Sequence, residues 1–413
     1  MKRFDLKYID KTYWVLYIAL AIVAVIALFS AGSTLVYERH SILGPVTSQM
    51  LFLCLGIIVA FFLQFVPSKY IRLGGYFFLG LSLLCLWSML IPGNPLVATI
   101  NGASRWIKIG GFTFQPSELA KLSLIIVVTD LLSRIKTEED KRRYFFWTLG
   151  LTAATALPIM TGNLSTAVLL GGIVLILWFL ARIPWKYILS VIGIAIVLLV
   201  AGYAIVEFGF VRRGQAITHG PFKRATTWVG RIDDIFSEHQ ESAEFKLTDD
   251  NYQRSIAKVA VARGGKSPIG VLPGNSQERD FLPQAFADYI FAIIVEETGM
   301  FGAIVLIFLY MAVLFRACQT SSRFGDYAAL LMVMGLALML TCQALVSMMV
   351  AVGLGPVTGQ PLPLISRGGT SALITSAYFG IIMSVSREQS ELSERQNKTT
   401  QESLNDVPDI ELE

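Results

Sequence analysis

The sequence predicts an all-α membrane protein, a bundle of ten transmembrane helices with a large extracytoplasmic loop between helices 7 and 8. Of its 413 residues, 54% are hydrophobic and only 15% are charged, whereas a soluble domain carries roughly a quarter charged residues. Mean hydropathy is +0.60, and the charges gather in short clusters between long apolar runs. The net charge of +4 is too small to indicate a nucleic-acid partner.

The apolar runs are long enough to cross about 30 Å of hydrocarbon. The predicted spans are 14–36, 48–67, 74–91, 118–133, 144–161, 164–182, 187–207, 289–316, 327–353 and 370–386. The basic N-terminus leads into the first run without a small-residue cleavage site, which predicts an uncleaved first span.

Cations follow every even-numbered span, as expected for cytoplasmic connections. These cations are Lys69 and Arg72, then Arg134, Lys136, Lys141, Arg142 and Arg143, then Arg182 and Lys186, and finally Arg316 and Arg323. Ten spans with both termini in the cytoplasm are therefore self-consistent. Residues 1–386 form the predicted transmembrane domain, with a Gly-rich outer loop at 92–117 and a long outer loop at 208–288. Residues 387–413 are polar and predict a disordered cytoplasmic tail.

Asp288 stands where the long loop enters the eighth span. A carboxylate at an apolar boundary has a raised proton affinity, which suits a general base near neutral pH. An Asp at a helix N-terminus is also favoured by the helix dipole alone, and spacing alone favours this simpler interpretation. Glu296 and Glu297 lie two turns further into the eighth span, where an ionisable group is energetically costly in a membrane. Such residues either mark a functional site or form a structural bond to another helix.

A second cluster begins the fourth span. Gln115, Pro116 and Ser117 form its predicted first turn, and Glu118 and Lys121 are three residues apart on one face. Such a pair within a membrane neutralises itself by default.

Several other polar residues fit an anionic ligand. Arg105 and Lys108 precede the fourth span and suit phosphate binding, although they equally suit interfacial anchoring. Lys223, Arg224 and Arg231 lie in the long outer loop, where cations are disfavoured by the positive-inside rule. The Pro/Gly-rich segment 354–369 has little helix potential and is expected to line a site, with Ser366 and Arg367 as its polar members.

Four motifs together resemble the SEDS family (shape, elongation, division and sporulation), the group of FtsW, RodA and SpoVE. The motifs are ASRWIKIGGFTFQPSELAK at 103–121, YQRSIAKVAVARGG at 252–265, LPQAFADYIFAIIVEETG at 282–299 and GPVTGQPLPLISRGGTS at 355–371. The resemblance covers nearly all of the chain to Ser386. It implies a ten-span bundle in the bacterial cytoplasmic membrane that polymerises lipid II on the outer face.

The resemblance also implies roles for the residues. Asp288 would deprotonate an acceptor sugar hydroxyl, which attacks the anomeric carbon of the growing strand with inversion. Undecaprenyl diphosphate would leave, with its charge met by Arg105, Lys121 and Arg224 or Arg231, while Glu118 orients Lys121. A divalent cation is compatible with this chemistry, but no ligand cluster in the sequence demands a metal. The implied partners are a class B penicillin-binding protein and other divisome or elongasome membrane proteins.

Three departures from the family pattern stand out. The acidic residue usual near the sixth span is replaced by Asn163, and the usual Ser-Tyr-Gly-Gly reads Ser366-Arg367-Gly368-Gly369. The residues before Asp288 are less polar than usual, which we expect to raise its proton affinity further. The extended tail favours the division member of the family over the elongation member.

Two other functions fit the sequence. A lipid II flippase would need a polar path open alternately to both faces, whereas most of the candidate polar residues cluster on the outer side. A non-catalytic scaffold for a transpeptidase would leave Asp288 dispensable.

Overall fold

The computed structural model describes residues 6–31, 43–91, 93–100, 103–109, 112–209, 252–282, 287–355 and 359–405. Eleven α-helices occur in these ranges. They are α1 (Lys11–Ala31), α2 (Leu43–Leu63), α3 (Ser68–Ser88), α4 (Pro116–Ser133), α5 (Glu138–Gly162), α6 (Leu164–Leu180), α7 (Trp185–Gly209), α8 (Tyr252–Gly265), α9 (Ile290–Ser321), α10 (Tyr327–Ala351) and α11 (Gly369–Asn405).

Each predicted span falls on one of these helices, and the protein is a multi-pass helical membrane protein. Seven of the described helices, α1, α3, α5, α7, α9, α10 and α11, are long and apolar enough to cross a membrane. Two others are apolar but shorter, at Thr47–Leu63 and Leu164–Leu180. The helix α4 carries Glu118, Lys121 and Asp130, so its apolar character is diluted. It is nevertheless buried along most of its length, because it packs against α3, α5 and α10.

The predicted outer loop at 92–117 is not irregular. It contains a three-stranded antiparallel sheet of β1 (Val97–Ile100), β2 (Ala103–Ile109) and β3 (Phe112–Phe114), in the order β1-β2-β3. Trp106 of β2 pairs with Ala98 of β1, and Ile107 pairs with Phe114 of β3. The β-branched and aromatic residues of this segment favour strands, whereas its glycines favour the predicted loop.

The predicted disordered tail is wrong for residues 387–405, which continue α11 as helix. Side-chain contacts with the rest of the chain support this helix. Glu388 accepts a hydrogen bond from Ser68 N at 2.8 Å, and Arg387 Nε donates to Gln64 O at 3.0 Å. Glu394 pairs with Lys7 at 2.7 Å and so raises the pKa of Lys7. The polar composition of the tail indicated disorder, because composition carries no information about contacts with residues far away in the sequence.

The helix α9 is discontinuous at Gly299, which has φ 68° and ψ −165°. Residues 267–272 insert at the break. Val271 N donates to Glu296 O at 3.0 Å and Leu272 N donates to Glu297 O at 2.9 Å, while Phe301 N donates to Pro268 O at 3.2 Å. The inserted segment therefore satisfies backbone groups on both sides of the break, which the hydrocarbon interior of a membrane would otherwise leave unpaired.

We expect Gly299→Ala to destabilise the protein. A positive φ is unfavourable for alanine, and its Cβ would lie 2.5 Å from Gly270 N, Pro268 O and Ser267 O. The predicted loss is roughly 2 kcal/mol or more, seen as a lower midpoint of thermal unfolding in detergent. Gly193→Ala is the control, since a Cβ there meets nothing within 4 Å, and it should gain up to about 1 kcal/mol. Equal midpoints for the two variants would contradict the account of the break.

Candidate functional site

The segment 359–368 between α10 and α11 is irregular yet mostly buried, with Gln360 at 2%, Leu362 at 1% and Ile365 at 0% exposure. Side chains from several helices bind its backbone. Tyr310 of α9 donates to Pro363 O at 2.6 Å, and Gln343 of α10 donates to Pro361 O at 3.1 Å. The sequence predicted that this segment lines a site, and it does lie against the residues described next.

Ser366 connects this segment to the loop that carries Asp288. Its hydroxyl accepts a hydrogen bond from Leu362 N at 2.8 Å and donates to Ala287 O at 2.6 Å. Ser366 is only 3% exposed, so water competes little for these two bonds. The backbone immediately before Asp288 is therefore held against segment 359–368, while the Asp288 residue itself is half-buried.

Arg105 and Asp288 lie on the same side of Gly359. A Cβ on Gly359 would be 3.2 Å from Arg105 Nη1 and 3.6 Å from Asp288 Oδ2. Arg105 Nε donates to Gly162 O at 2.8 Å, which anchors the arginine from β2 at the end of α5. Gly359 has φ 59°, which disfavours a side chain there, and a Cβ would crowd the Arg105 guanidinium.

Asn163 joins this group from the helix connection between α5 and α6. Its side-chain oxygen accepts a hydrogen bond from Thr166 N at 3.2 Å as the N-cap of α6. Its amide nitrogen donates to Gly359 O at 3.4 Å. An Asp could cap the helix equally well, but it could not donate to a carbonyl. The amide therefore binds both elements where a carboxylate would bind only one.

Glu118 and Lys121 form a buried ion pair at 2.8 Å, with side-chain exposures of 6% and 2%. Lys121 Nζ also donates to Gln343 Oε1 at 2.7 Å, and Gln343 binds Pro361 O. A chain of polar contacts thus runs from the first turn of α4 to segment 359–368. Gln115 is the N-cap of α4, and Pro116 and Ser117 begin its first turn, as predicted. No described hydrogen bond joins Pro116 or Ser117 to Asp288.

Glu296 and Glu297 bind the loop that inserts at the break in α9. Ser276 Oγ and Gln277 N donate to Glu296, the latter at 3.1 Å. Ser30 Oγ and Gly274 N donate to Glu297, the latter at 3.1 Å. Both carboxylates are almost fully buried, at 0% and 2% exposure. These contacts favour the structural interpretation of the two residues over a catalytic one.

The remaining predicted residues are less closely associated with Asp288. Lys108 is exposed on β2, two residues beyond the half-buried Trp106. Arg367 follows Ser366 directly and is half-buried. Arg224 and Arg231 lie outside the described residues. The compatibility of a divalent cation with this chemistry stays a prediction, and within the described ranges no three His, Cys, Asp or Glu side chains come together as a candidate metal site.

Three amide residues were not predicted as site residues, namely Asn163, Gln343 and Gln360. Gln360 is the most informative because both polar atoms of its side chain are buried and lack a hydrogen-bond partner within the described part of the chain. It directly follows Gly359, beside Arg105 and Asp288. In the sequence, Gln360 stands out only as a polar residue within a segment of proline, glycine and leucine. That pattern does not distinguish a site residue from an ordinary loop residue.

Comparison with known proteins identifies the family. The model of the FtsW, RodA and SpoVE cell cycle protein family matches residues 10–391. Peptidoglycan glycosyltransferase MrdB of Escherichia coli is 25% identical over 94% of this chain and 96% of its own. The probable peptidoglycan glycosyltransferase FtsW of Nitrosomonas europaea is 31% identical over 82% of each chain.

A solved structure agrees with this match. It is described as the structural coordination of polymerization and crosslinking by a peptidoglycan synthase complex, and it superimposes with a TM-score of 0.69 at 25% identity. The superposition covers 93% of this chain and 99% of that one. The family motifs identified in the sequence also supply Arg105, Asp288 and Ser366, which the fold brings together. The chain therefore belongs to the FtsW/RodA/SpoVE family of cell cycle proteins.

Proposed function

We propose that the protein is a peptidoglycan glycosyltransferase that polymerises lipid II in cell division or elongation. The observation that carries the proposal is the placement of Asp288 and Arg105 around Gly359, at the end of a helical bundle of the polymerase family. The relatives named as peptidoglycan glycosyltransferases match over most of their length, which supports transfer of the activity to this chain.

We also propose that the ten predicted helices all cross the bacterial cytoplasmic membrane, with both termini in the cytoplasm. The placement of Arg134 and Lys136 between α4 and α5 supports this orientation through the positive-inside rule. The sheet β1–β3, at the opposite end of α4, and the 208–288 loop would then face outward. Lipid II and the undecaprenyl-diphosphate-linked strand would enter from the membrane, with their sugars at this outer end.

In the proposed reaction, the Asp288 carboxylate accepts the proton of the acceptor sugar hydroxyl. The hydroxyl oxygen then forms a bond to the anomeric carbon of the growing strand, and the bond from that carbon to the diphosphate breaks. A single displacement of this kind inverts the anomeric carbon. Undecaprenyl diphosphate leaves with the bonding electrons, so a cation near the breaking bond lowers the barrier.

Arg105 is the described cation best placed to meet that charge. Its Nε donates a hydrogen bond to Gly162 O, and its two Nη groups lie toward Gly359 and Asp288. Lys121 differs, because it is buried and already paired with Glu118 and Gln343. We infer that Lys121 acts by positioning segment 359–368 through Gln343. Omitting or chelating divalent cations in the assays below would test whether a metal contributes.

The proposed partner is a class B penicillin-binding protein that crosslinks the product. The structural match to a synthase complex that coordinates polymerisation with crosslinking supports this pairing. Other divisome or elongasome membrane proteins remain expected partners. The extended polar tail, helical to Asn405, still favours the division member, because it could bind cytoplasmic partners.

Asp288→Asn should abolish polymerisation, with a rate loss of about a hundredfold or more, because a general base contributes roughly 10²–10⁴-fold. The measurement is glycan strand formation by purified protein with lipid II and its transpeptidase. Asp326→Asn is the matched control, since Asp326 caps α10 through Ala328 N at 2.9 Å and Asn caps equally well. If a folded Asp288→Asn variant forms glycan strands at the wild-type rate, Asp288 is not the general base.

The same preparation separates the alternatives. If lipid II crosses vesicles containing the pure protein while no polymer forms with the partner present, the chain is a flippase. If strands form only from the partner and are unaffected by Asp288→Asn, the chain is a scaffold.

Arg105→Lys should lower kcat by about tenfold to a hundredfold, since a lost charge-assisted hydrogen bond is worth roughly 1.5–3 kcal/mol. One ammonium cannot both bind Gly162 O and present a fork toward Gly359. Steady-state kinetics on lipid II would measure the effect, with Lys108→Arg as the control on the exposed part of β2. Full activity in Arg105→Lys would show that a simple positive charge suffices.

Gln360→Leu distinguishes a ligand-binding amide from a merely buried one. An unsatisfied buried amide costs roughly 1–3 kcal/mol, so we expect the variant to unfold at a higher temperature without substrate. If substrate supplies the missing partner, its KM should rise about tenfold. A more stable variant with unchanged KM would remove Gln360 from the binding site.

A further inference from the structure

A groove of about 530 Å³ lies between α3, α4 and α5. Its walls are apolar, with Leu79 and Leu83 from α3, Val127 and Leu131 from α4, and Leu151 from α5. The volume is in the range of small-molecule sites. None of the residues assigned above to the polymerisation site lines this groove.

One end of the groove is cationic. Arg134 and Arg143 both line it, together with Tyr76 and Tyr144. These arginines flank the short connection between α4 and α5, at the opposite end of α4 from Glu118. In the proposed orientation this is the cytoplasmic end of the bundle.

The two arginines differ in their pairing. Arg134 Nη2 pairs with Asp130 Oδ2 at 2.7 Å. The Arg143 guanidinium lies 6.0 Å from the centre of the Tyr144 ring, and no carboxylate of the described chain is within ion-pair distance of it. Arg143 therefore offers a positive charge at the mouth of the groove that an anion could meet.

The other end of the groove lies towards Trp87. Trp87 Nε1 of α3 donates to Ala154 O of α5 at 3.1 Å, which joins the two helices beyond Leu83 and Leu151. Between the two ends, Gly80 lines the wall, and a Cβ placed there would meet nothing within 4 Å. A side chain at this position would therefore project into the open space of the groove.

We propose that the groove binds one anionic phospholipid of the leaflet at the α4–α5 connection. Its phosphate would lie between Arg143 and Arg134, and an acyl chain would follow the apolar walls as far as Trp87. Basic pockets between membrane helices recognise anionic headgroups in this way. The arginines at one end of the groove match a lipid phosphate, a charge that an apolar transmembrane helix of a partner would not supply. The proposal goes beyond the polymerase function and does not rest on it.

The test is lipid retention measured by native mass spectrometry on full-length protein exchanged into mixed phosphatidylglycerol and phosphatidylcholine. Wild type should retain one phosphatidylglycerol in preference to phosphatidylcholine. Arg143→Gln should reduce that occupancy about fivefold, the effect of one cation near an anionic headgroup. Gly80→Leu should reduce it at least as much by filling the groove.

Two controls match these variants. Arg142→Gln removes a neighbouring exposed cation that does not line the groove, and Gly193→Leu adds a side chain to an open helix face on α7; both should retain the lipid. Equal retention of the two phospholipids, or unchanged retention in Arg143→Gln and Gly80→Leu, would overturn the proposal. So would a copurifying polypeptide that Gly80→Leu displaces, because that result would assign the groove to a partner's helix.

Discussion

Residues 359–368 have an irregular backbone inside the bundle, where water cannot pair their polar groups. The rest of the structure must therefore supply hydrogen-bond partners for this segment. Three side chains from other parts of the described chain, Asn163, Tyr310 and Gln343, bind carbonyl oxygens of the segment, and Ser366 within it accepts a hydrogen bond from Leu362 N. The same contacts determine where Gly359 lies. Arg105 and Asp288 lie beside Gly359. The hydrogen bonds that satisfy the buried backbone therefore also hold the candidate site together.

The break in α9 solves a similar problem nearby. Residues 267–272 fill the break at Gly299 and pair the freed backbone groups, while Glu296 and Glu297 bind residues 274–277 through their side chains. The half-helix that follows Asp288 is thereby attached to residues 267–277 as well as to the bundle. The general base proposed for Asp288 would require a defined position, and the buried contacts of Glu296 and Glu297 help to fix the start of this helix.

The polar groups of the molecule divide into two regions with different physical tasks. At the sheet end, Arg105 and Asp288 lie beside Gly359, whose carbonyl binds the Asn163 amide, and this group is suited to charge that develops during a reaction. At the opposite end of α4, Arg134 and Arg143 border an apolar groove and are suited to a permanent charge on a membrane component. The ion pair of Glu118 and Lys121 lies in the first turn of α4, where its contact with Gln343 braces the first region.

By itself, the sequence located the apolar helices of a multi-pass membrane protein, because runs of about 20 apolar residues are long enough to cross a bilayer. It also identified Asp288, Arg105 and Ser366, although only the combination of motifs raised Asp288 above an ordinary helix N-terminal residue. Local composition misjudged the sheet at 97–114 and the helix to Asn405. Tertiary structure alone decided that Asn163, Gln343 and Gln360 lie at the candidate site, and that the paired Lys121 also binds Gln343. Those facts depend on contacts between residues far apart in the chain, which hydropathy and spacing along one segment do not contain.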